Sequence, residues 1–142
     1  MLGAALAKSK VDKENHRSFL FVGEGSLQMS VQEIKTMIKE NLDIIIFVVN
    51  NDGCTIERAI YGRRQGYNDV SLWRHRYALH FFGVDEKLAA ESNFTARIYV
   101  ELETVLSDDH IQNGKVLKMI EIFLSREDVQ GALLGLLNAQ IV

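Results

Sequence analysis

At 142 residues and a net charge of −3, the chain is one domain long and carries no basic footprint, which argues against nucleic acid or an anionic membrane as its main partner. Hydrophobic residues make up 47% and charged residues 25%, the balance of a globular domain able to bury roughly 68–70% of its unfolded surface. A single cysteine, Cys54, cannot form an internal disulfide, no apolar run reaches spanning length, and the lysines of Met1–Lys10 follow its apolar residues, the reverse of a signal peptide. The cytoplasm is the expected compartment.

In chain order, Leu2–Lys8 is small and apolar and reads as a closely packed helix, with a charged surface loop over Ser9–Arg17. Phe19–Val22 is a continuous apolar run, expected as a buried strand. It ends at Gly23-Glu24-Gly25-Ser26, where two glycines allow a sharp turn. Ser30 with Glu33 has the pattern of a capping box. Val31, Ile34, Met37, Ile38 and Leu42 keep helical spacing behind it.

Ile44–Val49 is apolar at every position, as in a central parallel strand, and ends at Asn50-Asn51-Asp52-Gly53. Thr55–Tyr61 reads as a short helix closed by Gly62. Arg63–Val70 reads as a loop, and Leu72–Phe82 as a helix with aromatic anchors at Trp73, Tyr77 and Phe81. A short helix is expected over Asp85–Ser92, a strand over Ala96–Val100, and a helix over Glu101–Ile111, although Val100–Val105 also fits a strand. Asn113-Gly114 marks a turn, Val116–Leu124 the last strand and Arg126–Leu137 a terminal helix. Strands alternating with helices make the fold class α/β, with a mainly parallel sheet flanked by helices.

Two parallel strands joined by one helix place their C-terminal tips side by side, the edge where ligands sit in open α/β sheets. The polar clusters after Val22 and Val49 therefore face one point. One supplies a carboxylate, the other an amide and a main-chain carbonyl, hard oxygen donors that suit magnesium or calcium. Either cluster alone is an ordinary strand-to-helix turn.

Gly-Asp-Gly followed some two dozen residues later by Asn-Asn is the signature of thiamine-diphosphate enzymes, and Gly23-Glu24-Gly25 with Asn50-Asn51 stands in that relation. Gly23–Gln28, Val31–Ile34, Asn50–Gly53, Thr55–Arg58 and Tyr67-Asn68 resemble the pyruvate decarboxylase branch, especially its fungal members. The resemblance implies an incomplete thiamine-diphosphate-binding domain over 1–142, N-terminally truncated because Met1 falls inside a longer helix of such enzymes. It implies magnesium ligands at Glu24, Asn51 and the main-chain oxygen of Gly53. Diphosphate contacts are implied at Gly25, Ser26, Thr55 and Ile56, and a catalytic role near the reacting carbon of the cofactor at Glu57.

Two residues depart from that pattern. Glu24 stands where the signature has aspartate, and one extra methylene moves a carboxylate by over ~1 Å. Cys54 stands where the decarboxylases usually carry tyrosine. The expected function is the diphosphate- and magnesium-binding part of a 2-oxo acid decarboxylase, inactive alone. Its partners would be a 2-oxo acid substrate, the pyrimidine-binding domain or a full-length subunit, in an oligomer. The alternative is a noncatalytic remnant or interaction module that keeps the fold. None of His16, His75, His80 and His110 has metal-site or triad spacing, and His75 is expected on a surface or interface helix.

Overall fold

The structure, a computed structural model, describes residues 2–11 and 17–139. His16 and most of the expected Ser9–Arg17 loop lie outside them. Four strands form one parallel sheet: β1 (Ser18–Gly23), β2 (Ile44–Asn50), β3 (Asn93–Ala96) and β4 (Lys118–Phe123), in the order β1-β2-β4-β3. Helices cover both faces, so the α/β expectation holds.

Packing follows from the strand alternation. Ile44, Ile46 and Val48 of β2 and Met119 of β4 point to one face. There they meet Leu27, Ile34, Met37, Leu79 and Ala89 from α2 (Glu24–Gln28), α3 (Glu33–Lys39), α5 (Ala78–Phe81) and α6 (Glu86–Ser92). Ala5 of α1 (Leu2–Val11) joins the same cluster. Ile45, Phe47 and Ile120 point to the other face and pack on Ile111 of α8 (Asp109–Asn113), with Leu102 and Val105 of α7 (Tyr99–Leu106) beside them. Burial of each large side chain contributes about 1.5–3 kcal/mol, so the doubly covered β2 anchors the domain.

Several expectations are corrected. β1 is an edge strand, and only Leu20 and Val22 pack inward. Phe19 and Phe21 stay 55% and 69% exposed, Phe21 stacking on Phe47 with ring centroids 4.6 Å apart. Ser30 makes no cap; α3 begins after Gln32, with no side-chain capping bond. The glycine-rich turn after β1 is already helical from Glu24, and Gly23 has an ordinary φ of −69°.

Leu72–Phe82 is not one helix. It runs as irregular chain into a 3-10 turn, His75–Tyr77, and then into α5. Trp73, Tyr77 and Phe81 are therefore not buried anchors; they line an apolar groove of about 490 Å³ beside Leu27 and Val31. The third strand comes earlier than expected, at Asn93–Ala96, and Ile98, Tyr99 and Val100 are exposed. Asn113 ends α8 instead of opening a turn. The terminal helix α9 starts only at Ala132 and rests on α4 (Thr55–Tyr61).

Candidate functional site

The tips of β1 and β2 lie side by side because Gly23 pairs with Val49 in parallel register. Glu24 opens α2 directly after β1 and is buried, 5% exposed. Its Oε1 accepts a hydrogen bond from the backbone N–H of Gly53, 2.6 Å away, which ties the two tips together. Burial pushes the Glu24 carboxyl above its ordinary value, offset only in part by the Gly53 N–H and by nearby His75. A carboxylate in that position gains from any cation that approaches it.

The loop after β2 is held by several side chains. The Asn51 amide nitrogen donates to Thr55 Oγ1 at 2.7 Å, which turns its amide oxygen the other way. Thr55 Oγ1 in turn donates to the Arg126 carbonyl at 3.0 Å. Asp52 and Gly53 both adopt positive φ, 56° and 135°, so glycine has a conformational reason to stand at position 53. The Arg58 guanidinium, 1% exposed, lies beneath this loop. Its Nη2 donates to the Asp52 carbonyl at 2.5 Å and to Asp69 Oδ1 at 2.9 Å. A Cβ at position 53 would collide with that guanidinium. Arg126 pairs with the Asp52 carboxylate from above.

The other expected residues fall around this point. Gly25 and Ser26 lie in the first turn of α2, and a Cβ at Gly25 would press on Val70 Cγ2 at 3.1 Å. Thr55 and Ile56 open α4, where backbone N–H groups lack intrahelical acceptors. Thr55 is buried and Ile56 is 55% exposed. Glu57, half-buried, follows them in the same turn. Cys54 is half-buried, and its N–H donates to the Asn68 carbonyl. Among the described residues no three His, Cys, Asp or Glu side chains converge on one point. A cation here would therefore rest on one carboxylate plus amide, main-chain and ligand oxygens, which is chemistry that fits magnesium.

Sequence reasoning missed the groups behind the loop. His75 is buried at 4% exposure, not on a surface helix, and its Nδ1 lies 2.9 Å from Glu121 Oε1. Asn50 Nδ2 donates to the same oxygen at 2.7 Å. Burial alone would raise the Glu121 carboxyl, but the hydrogen bonds from His75 and Asn50 outweigh it and hold it below its ordinary value. A readable signal existed in Lys118–Phe123, where a glutamate interrupts an apolar strand. His75 carried none.

Comparison with known proteins matches residues 1–106 to the family described as thiamine pyrophosphate enzyme, C-terminal TPP binding domain. A pyruvate decarboxylase of Aspergillus parasiticus is 44% identical over 100% of this chain and 27% of its own length. One from Candida glabrata is 39% identical over 94% of this chain and 23% of its own. The chain thus spans about a quarter of these curated relatives. A solved structure described as a thiamin diphosphate-dependent enzyme from Mycobacterium smegmatis superposes with a TM-score of 0.56 at 18% identity, covering 87% of this chain and 21% of that one, a likeness of fold. Matched over most of its length by the family and over all of it by a decarboxylase relative, the chain belongs to the thiamine pyrophosphate enzymes and carries their C-terminal TPP-binding domain.

Proposed function

We propose that this chain supplies the diphosphate- and magnesium-binding part of a 2-oxo acid decarboxylase and is inactive alone. The observation that carries the reading is the 2.6 Å bond from Gly53 N–H to Glu24. It ties a buried carboxylate to the Gly53 backbone, two residues along the chain from Asn51. Glu24, the Asn51 amide oxygen and the Gly53 main-chain oxygen would hold the ion. Backbone N–H groups of Gly25, Ser26, Thr55 and Ile56 would receive the diphosphate oxygens. Glu57 would hold or move a proton at its carboxyl beside the reacting centre.

When bound, thiamine diphosphate supplies the electron sink for loss of carbon dioxide. Relatives named pyruvate decarboxylase make pyruvate the first substrate to test. A closed, dry cleft needs a second wall. The partner in this reading is a pyrimidine-binding domain or full-length subunit, in an oligomer.

Calorimetric titration with thiamine diphosphate tests it. Binding is expected with magnesium and not with a chelator. The chain given magnesium, thiamine diphosphate and pyruvate should release no acetaldehyde above a buffer control. Absence of magnesium-dependent binding would favour the noncatalytic remnant. Turnover that vanishes in Glu57→Gln would overturn the claim of inactivity.

A further inference from the structure

We propose that His75 and Glu121 are positioning residues for the loop Asn50–Gly53, acting through Asn50 to set where Asn51 and Gly53 present their oxygens. The inference rests on the metal-loop reading above and deepens it.

Register supplies the geometry. Val48 pairs with Glu121 and Asn50 with Phe123, so Asn50 and Glu121 share one face of the sheet, diagonal across two strands. The 3-10 turn His75–Tyr77 covers that face at the strand tips. Glu121 Oε1 stands between two donors, Asn50 Nδ2 at 2.7 Å and His75 Nδ1 at 2.9 Å. A carboxylate only accepts, so Nδ1 carries the proton and the ring orientation is fixed. Nε2 of the same ring is buried without a hydrogen-bond partner among the described residues. Among the described residues the ring's polar anchor is Glu121.

The consequence reaches the loop through one side chain. With Nδ2 engaged by Glu121, the Asn50 amide oxygen faces forward and accepts the Asp52 N–H at 3.3 Å. That bond curls the chain into the positive-φ pair Asp52 and Gly53, at 56° and 135°. A non-glycine residue in that region costs free energy and persists only where its surroundings over-determine it. Asn50 supplies the constraint on the sheet side, opposite Arg58 on the helix side. Groups that hydrogen-bond and orient metal ligands typically alter metal affinity 10–100-fold.

The test uses the full chain and two readouts: amide exchange at Asp52 and Gly53 without ligand, and calorimetric binding of magnesium with thiamine diphosphate. Asn50→Ala cuts the link while leaving the His75–Glu121 pair in place. His75→Leu removes the anchor, and His75→Asn returns an amide N–H where Nδ1 stands. Asn50→Ala and His75→Leu should speed exchange at both amides and weaken binding by about 10–100-fold, and His75→Asn should recover both. If His75→Leu fails to fold, Asn50→Ala decides. Wild-type exchange and binding in Asn50→Ala would overturn the proposal and leave the pair a purely structural one. If the wild-type chain binds no magnesium–cofactor complex, the functional reading fails, and the exchange measurement alone still decides this one.

Discussion

The two strand tips that meet at the site are built differently. The tip of β1 passes straight into α2, and Glu24 crosses to the other tip by one bond to the Gly53 N–H. The tip of β2 is held from three sides: Asn50 to Glu121 across the sheet, Arg58 beneath, and Arg126 above. One tip is an adjustable arm and the other a braced loop. The braced loop leaves less room for change.

The largest expected effect breaks the brace. Arg58→Ala removes two hydrogen bonds from a buried guanidinium and leaves a void below Gly53, so it should cost about 3 kcal/mol, read by urea denaturation. A loss under about 0.5 kcal/mol, ordinary for surface changes, would mean that the loop holds itself.

Next comes the arm. Glu24→Asp shortens the carboxylate toward the family residue and should tighten magnesium-dependent binding of thiamine diphosphate by about tenfold, the lower scale on which metal-site geometry acts. Equal or weaker binding would show that Glu24 already reaches a good position.

The smallest effect is a pH slope. Glu121 sits below its ordinary carboxyl value when folded, held there by His75 and Asn50 against burial, with Arg97 favouring its charge; Glu24 stands nearby, its own carboxyl raised by burial. The stability Glu121 contributes is thus complete above its unfolded value of ~4.3 and is lost as pH falls from there through its lower folded value. Melting temperatures from neutral to acid pH should fall less steeply in Glu121→Gln than in the wild type. Parallel curves would remove Glu121 from the acid response.

Much of this was legible beforehand, for identifiable reasons. Ile44–Val49 announced a central strand because both faces of β2 are covered. Thr55–Tyr61 with Gly62 marked a helix whose end needs a positive φ, observed at 123°. The residues proposed for the site stood out because they cluster at two strand tips close in sequence. Other features depended on distant partners. The run Ala96–Val100 suggested a strand, yet the strand ends at Ala96 and Ile98, Tyr99 and Val100 lie on the surface. Asn93–Ala96 follows α6 with no glycine or proline between to mark the boundary. Glu121 and His75 meet across 46 positions, and no local pattern joins them.

The guanidinium beneath Gly53 makes positions 53 and 58 a coupled pair. Any side chain at 53 meets Arg58 as well as an unfavourable backbone angle, so Gly53→Ala should be more damaging with arginine at 58 than with a shorter residue there. Shortening Arg58 would relieve the collision but not the φ of 135°. Substitution at 53 is therefore only half-rescuable. A chain that drifted at one of these positions would be driven to change at the other, while glycine stayed the one residue at 53 that asks nothing of its neighbour.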